Sequence, residues 1–381
     1  MRRWAVRSYL PAEPVITCFL TGATGFIGGA LAAKLLAEEG VRLILLVRGE
    51  TFEDATLRLR RSIARFLGND SAAVALERAE VIVGDLGDMT TLRDSRLDVV
   101  THVLHAAAST SLRSVREVRR TNVGGSIALA ERMRRARGLV RFLYVSTAFC
   151  CGKRSDAVIH EADPLPLDGD HLVEYTRTKA TCERILTADF YDLPVVVARP
   201  SIVVGHTELG CRPSGSLLWY YRAIARLGRA PFHHNDLRDV VPVDYVRDAL
   251  HFLMFAGHLK HRVYHISAGP YRSARWGDLL SVFAKYGQAC SPVEHCVVAP
   301  DEIVSIPQHV AEIVRDPENR ERFMAAVVAC ARFGGLGIQC FDNTRLLSEG
   351  LELPCSFVDY LPRCLDTIGG RSIYEQMMDD E

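Results

Sequence analysis

Between Thr21 and Gly28 the chain reads Thr-Gly-Ala-Thr-Gly-Phe-Ile-Gly, and this stretch restricts the possible folds more than any other. An apolar run of strand length, Val15–Leu20, leads into it, and a helical run, Phe26–Glu39, leaves it. Gly22 permits a tight turn after the strand. Gly25 lets backbone approach a bound group, and Gly28 lets the helix pack closely on the strand. Strand, glycine turn and helix start together present unpaired N–H groups and a partial positive charge, the setting for a pyrophosphate. Thr24, Phe26 and Ile27 fill the positions between the glycines and are candidate ligand contacts with them.

The pattern that follows fits such a unit repeated. Val41–Val47, Glu80–Val83, Thr101–His105, Arg141–Ser146 and Val195–Ala198 are short apolar runs with little polar alternation, as expected of strands buried on both faces. Helical runs stand between them at Thr51–Leu67, within Ser114–Arg137, and at His171–Phe190. Strands alternating with helices predict an α/β fold, a Rossmann-like doubly wound parallel sheet with ligands at the strand C-terminal edge. After Gly205 the pattern turns irregular and reads as a smaller C-terminal substrate-binding lobe, with Val263–Ser267 as one further strand. The expected division is a lead-in over 1–14, a nucleotide-binding domain over 15–205, and a lobe over 206–381 whose 239–268 segment returns to the sheet.

Composition narrows the class. The 381 residues carry 46 Lys+Arg against 46 Asp+Glu, so no basic excess points to nucleic acid. Hydrophobic residues make up 48%, enough for a sizeable core, yet no apolar run reaches the length of a membrane span. The 11 Cys lack C-x-x-C spacing, which speaks for reduced thiols and a cytoplasmic setting. His102 and His105 share a strand with no third ligand at metal spacing, so no metal site is expected. Cys150-Cys151 read as buried thiols, and Arg132–Arg137 as a solvated helix end.

Further motifs lie at fixed intervals behind the loop: Gly84-Asp85-Leu86, His105-Ala106-Ala107-Ala108, Thr121-Asn122-Val123, Tyr144-Val145-Ser146-Thr147-Ala148, Tyr175-x-x-x-Lys179 and Arg199-Pro200-Ser201. With the G-x-x-G-x-x-G loop they resemble the extended short-chain dehydrogenase/reductase family over about Val15 to Ser267. The resemblance implies adenine contact at Asp85 and Leu86, small residues against the cofactor at Ala106, Ala107 and Ala108, a central-helix Asn122, and nicotinamide neighbours at Pro200 and Ser201. The second strand ends Leu46-Val47-Arg48, where an acidic residue would read a ribose 2′-hydroxyl. Arg48 suits a 2′-phosphate instead, which favours NADP(H); Glu50 is the candidate for the NAD role.

Tyr175 and Lys179 are four residues apart and share one helix face. A phenol is a weak acid near pH 7, and a neighbouring ammonium is expected to draw its pKa down. By the resemblance Tyr175 and Lys179 also contact the cofactor, Lys179 holding the nicotinamide ribose. Thr147, at a strand end, is the candidate second hydroxyl on the substrate oxygen. Strand alternation turns Ser146 to the opposite side, leaving it second choice.

Tyr144–Phe149, Ala198–Gly205 and Val241–Val246 resemble the fatty acyl-CoA reductase and carrier-protein thioester reductase branch. That implies an acyl thioester, on coenzyme A or on an acyl or peptidyl carrier protein, reduced to an aldehyde or alcohol. The apolar stretch Leu217–Tyr221 is the candidate acyl contact, with lobe core as the alternative. A second reading is a nucleotide-sugar epimerase or dehydratase, or a hydroxysteroid-type dehydrogenase. Arg238 resembles a sugar-nucleotide phosphate ligand, whereas Val203–His206 lacks the Tyr-Gly-Pro of sugar enzymes. A third is a non-catalytic NADP-binding regulator, against which Tyr175, Lys179 and Thr147 all stand. Oligomeric state is open.

Overall fold

A computed structural model describes residues 16–88, 90–110, 114–166, 169–290, 295–305, 307–338 and 340–380. The expected lead-in over 1–14 lies outside the described residues. Seven strands form the central sheet: β1 (Ile16–Thr21), β2 (Val41–Val47), β3 (Ala79–Val83), β4 (His102–His105), β5 (Arg141–Val145), β6 (Val195–Pro200) and β7 (Val263–Ile266). All pairings are parallel, in the order β7-β6-β5-β4-β1-β2-β3. The order reverses between β1 and β4, so a crevice opens at their C-terminal ends, where doubly wound sheets bind ligands.

Alternation within each strand explains why both sheet faces are covered. Leu20, Leu43, Leu45, Leu104 and Leu143 pack with one set of helices; their neighbours Phe19, Ile44, Leu46, Val103 and Phe142 pack with the other. The first set comprises α1 (Phe26–Ala37), α2 (Phe52–Leu67) and α6 (Val243–Phe255). The second comprises the central helix α3, 115–133, and α4 (Glu174–Ala188). Helix α3 is not regular: Arg120–Gly124 takes a π-helical turn, and Asn122 sits in it. Such turns interrupt a helix where a side chain or backbone group is needed elsewhere.

A separate core fills the C-terminal lobe. Helix α5 (Leu218–Leu227) contributes Leu218, Trp219, Tyr220 and Tyr221 to it, all buried against Trp276, Phe323 and Phe357. This packing supports the lobe-core alternative for Leu218–Tyr221, with Leu217 part-buried at its edge. Within 239–268, α6 packs on the sheet and β7 pairs with β6. Two-residue strands stitch lobe to sheet, Val240–Val241 beside Ile202–Val203 and Cys340–Phe341 beside Val158–Ile159. Among the described residues no helix is long and apolar enough to cross a membrane. At the basic helix end Arg132 and Arg134 form surface ion pairs with Asp98 and Asp192 at 2.5 and 2.8 Å.

Candidate active site

The glycine loop packs against the end of β4. Gly22 has φ +84°, and a Cβ there would stand 2.7 Å from the Ala107 nitrogen and 2.8 Å from the Ala106 carbonyl carbon. A Cβ on Gly28 would stand 2.1 Å from the Gly22 carbonyl oxygen. These two positions hold the first turn of α1 onto β1 and leave no room for any side chain. Gly25 differs. It is exposed, its φ of −84° is ordinary, and a Cβ there would meet nothing nearer than the Gly22 oxygen at 3.4 Å. Protein packing therefore gives no reason for glycine at 25, whereas a ligand lying on the loop does. No side chain caps α1, so its first-turn N–H groups remain available to an anion. Thr24, Phe26 and Ile27 are part-buried around it.

The residues expected at the adenosine end fall on neighbouring strand ends. Arg48 is exposed just past β2, and among the described residues its guanidinium makes no ion pair. Asp85 accepts from the Gly87 N–H at 2.6 Å, and Leu86 is buried against Gly125 of α3. Arg120, absent from the expected site, lies over Gly87: a Cβ on that glycine would be 3.1 Å from its Nε.

A buried hydrogen-bonded chain joins the loop strand to α4. Thr21 Oγ1 is 2.7 Å from His105 Nδ1, and His105 Nε2 is 2.8 Å from Ser126 Oγ. Ser126 in turn hydrogen-bonds the Asn122 carbonyl. The Asn122 side chain accepts from Ser109 N–H at 2.7 Å and donates to the Ser109 carbonyl and Thr178 Oγ1, both at 3.0 Å. Thr178 then donates to the Tyr175 carbonyl at 2.7 Å. Asn122 is thus occupied in holding the loop after Ala106, Ala107 and Ala108 to the helix of Tyr175. Burial drives the His105 pKa down to about 3, which keeps the ring neutral in this chain.

On α4, Tyr175, Lys179 and Glu183 follow at intervals of four. Lys179 Nζ donates to the Val145 carbonyl at 2.6 Å and lies 5.9 Å from the Tyr175 ring centroid. Burial pulls the Lys179 pKa down to about 8. The expected lowering of the Tyr175 pKa is corrected. Burial, followed by the nearby Cys150, pushes it up to about 12, because removing the phenolate from water outweighs an ammonium already bonded to Val145. Ser146 points at this helix rather than away from it: its hydroxyl donates to Glu183. Among the described residues, Thr147 Oγ1 accepts only from the Phe149 N–H, at 3.3 Å. Pro200 ends β6 opposite Ile266, and the Ser201 N–H donates to the Ile266 carbonyl at 3.0 Å.

Glu183 and Arg199 were not legible as site residues. Both are buried, and the guanidinium reaches the carboxylate at 2.6 and 3.0 Å. Arg238, expected as a phosphate ligand in the sugar-enzyme reading, is buried with its Cζ 4.1 Å from the Phe232 ring centroid. It stacks inside the lobe.

Residues 20–250 match the NAD-binding family described as male sterility protein, and the chain belongs to that family. Aldehyde reductase lnaA of Aspergillus flavus is 30% identical over 268 residues, 65% of this chain and 25% of that protein. Fatty acyl-CoA reductase 1 of Xenopus laevis is 25% identical over 309 residues, 68% of this chain and 59% of its own length. The chain thus spans less than two thirds of these relatives. In fold it is similar to the terminal R domain from the myxalamid PKS-NRPS pathway, with a TM-score of 0.77 at 23% identity, covering 94% of this chain and 91% of that one.

Proposed function

We propose that this protein is an NADPH-dependent reductase of acyl thioesters, carried on coenzyme A or on a carrier protein. The observation that carries the reading is the placement of a neutral, part-buried Tyr175 and a Thr147 hydroxyl lightly engaged among the described residues at the sheet edge where the glycine loop also opens. The named relatives are reductases, and the terminal R domain from the myxalamid PKS-NRPS pathway shares the fold.

The chain's groups fit a dinucleotide. Open space over Gly25 and uncapped N–H groups at the start of α1 suit a pyrophosphate, Arg48 a 2′-phosphate, and Asp85 with Leu86 the adenine. Ala106, Ala107, Ala108, Pro200 and Ser201 line the remaining path to the nicotinamide, with Asn122 holding that path in place. When bound, the cofactor supplies a hydride to the carbonyl carbon. Thr147 and Tyr175 receive the negative charge that gathers on the carbonyl oxygen, and Tyr175 gives up its proton to it. Lys179 replenishes positive charge beside the phenolate and holds the ribose. Loss of the C–S bond from the resulting hemithioacetal then frees a thiol and an aldehyde, and a second round gives the alcohol. The lobe after Gly205 contributes the acyl-binding side. A reducing cytoplasm suits 11 free thiols.

The test follows NADPH absorbance alongside a thiol-reactive dye, with acyl-coenzyme A and carrier-bound thioesters. One thiol released per acyl group reduced is expected. Turnover of sugar nucleotides or simple ketones with no thiol from any thioester rejects the proposal.

A further inference from the structure

We infer that Glu183 is a positioning residue for this reaction, fixing the ends of two strands to the helix that carries Tyr175. The inference rests on the reductase reading of the site. Three observations lead to it. Tyr175, Lys179 and Glu183 stand at four-residue spacing on α4, so they form one row along the helix. Lys179 and Glu183 grip consecutive residues of the β5 end: the ammonium takes the Val145 carbonyl, the carboxylate the Ser146 hydroxyl. The same carboxylate holds Arg199, in the penultimate position of β6, through Nε at 3.0 Å and Nη2 at 2.6 Å.

The two gripped strands are themselves neighbours, with the Ser146 N–H donating to the Ala198 carbonyl at 2.7 Å. One residue beyond Ser146 comes Thr147, and one and two residues beyond Arg199 come Pro200 and Ser201. A single buried carboxylate thus sets the register of Thr147 and of the Pro200-Ser201 turn relative to Tyr175. Taking a carboxylate and a guanidinium out of water is costly, and apolar residues of the same volume hold helix to sheet at least as well. What the ion pair adds over apolar packing is direction. Three hydrogen bonds from Arg199, the Nε being shared between both carboxylate oxygens, and one from Ser146 allow Glu183 one orientation, whereas methyl groups allow several. The Cys150 thiol, wholly buried, completes the surroundings and lies within electrostatic reach of Glu183, Arg199 and Tyr175. Neither Glu183 nor Ser146 needs to touch substrate for this role.

Ser146→Ala is the mildest probe, because it removes one hydroxyl and leaves the Glu183–Arg199 pair whole. NADPH affinity should stay at the wild-type value, and the variant should remain fully folded at assay temperature with its melting temperature lowered by only a few degrees, as for one lost hydrogen bond. kcat should fall about 10- to 100-fold with KM little changed, the size expected when reacting groups shift by a fraction of an ångström. Glu183→Gln should lose at least as much kcat, with Glu183→Asp, which keeps the charge, intermediate. The double variant Ser146→Ala/Glu183→Gln should be no slower than Glu183→Gln alone, since both act through one contact. Wild-type kcat in Ser146→Ala, or additive losses in the double variant, overturns the inference while thiol release by the unmodified enzyme leaves the thioester reading standing. So does a kcat loss in Glu183→Gln that merely tracks its folded fraction. Ketone reduction without thiol release sinks the thioester reading alone, and the same variants are then compared on the ketone. A wild-type protein that reduces no carbonyl compound overturns both.

Discussion

The Nζ of Lys179 donates to the carbonyl oxygen of Val145 at 2.6 Å, below the face of Tyr144 at 4.9 Å from its centroid. A strand end and an aromatic face thus replace the water that a lysine normally keeps. The replacement is incomplete, and burial lowers the pKa to about 8 from the ordinary range near 10.4. The sign follows directly. Between those values the unfolded chain holds a proton that the folded chain lacks, so this group makes stability rise with pH across that window. Activity moves the other way, since the ammonium that serves Tyr175 is lost above about pH 8. The pH profile of kcat/KM should therefore fall on its alkaline side with an apparent pKa of about 8. In Lys179→Arg any remaining activity should lose that limb, because a guanidinium stays charged. An unchanged limb in that variant assigns it to another group.

Tyr175 should behave as an acid that is fully protonated throughout this range, its pKa having been raised by burial to about 12. Tyr175→Phe removes one hydroxyl and leaves the glycine loop, Arg48 and Lys179 to hold the cofactor. It should lower kcat by about 10²- to 10⁴-fold, the usual contribution of a positioned proton donor, and leave NADPH affinity near wild type. Single-turnover rates and fluorescence titration with NADPH measure the two separately. Wild-type turnover in this variant removes Tyr175 from the chemistry.

Much of this arrangement is visible in the sequence because it is built from periodic runs. The strands are apolar on both faces, and each lies within a residue or two of its expected bounds, as Val41–Val47 shows. The family resemblance rests on the loop and on Tyr175-x-x-x-Lys179, and the family match and the R-domain fold bear it out. What escaped has physical reasons. Two-residue strands such as Val158–Ile159 carry no period to detect. Glu183 belongs to no sequence motif named above, and its role shows only once Arg199 lies beside it, although it stands four residues from Lys179. His105 looks like a strand residue with no partner, since Thr21 and Ser126 are 84 and 21 positions away. The direction of the Tyr175 shift depended on burial, which a motif does not report. Leu217–Tyr221 looks equally fit for a ligand or a core, and the packing of Leu218–Tyr221 with Phe323 and Phe357 favours the core.

Cofactor choice is expected to lie with Arg48. Its exposed guanidinium stands past β2 with no ion pair among the described residues, free to meet a phosphate. Arg48→Ala should weaken NADPH binding by about 1.5–3 kcal/mol, as for a lost hydrogen bond to a charged group. NADH, without the 2′-phosphate, should bind nearly as before. Isothermal titration with both cofactors settles the matter, and equal losses would show that Arg48 does not read the 2′-group.

The glycine loop gives the sharpest separation between structure and ligand, because its glycines are required for different reasons. Gly28→Ala drives a methyl group to 2.1 Å from the Gly22 carbonyl, a backbone atom that has no side-chain freedom to yield. The loop must open or α1 must tilt, at a cost of about 3 kcal/mol, so both melting temperature and cofactor affinity should fall. Gly25→Ala meets no such obstacle. Its backbone angles are open to any residue, and the nearest atom to the new methyl is 3.4 Å away. Stability should change by less than about 1 kcal/mol, within the range of helix-cap substitutions. The methyl nevertheless enters the space over the uncapped start of α1, where the pyrophosphate belongs, and NADPH affinity should drop by at least about tenfold, or 1.4 kcal/mol. Thermal melts paired with NADPH titrations of the two variants provide the comparison. If Gly25→Ala binds NADPH as the unmodified protein does, the pyrophosphate does not lie on this loop.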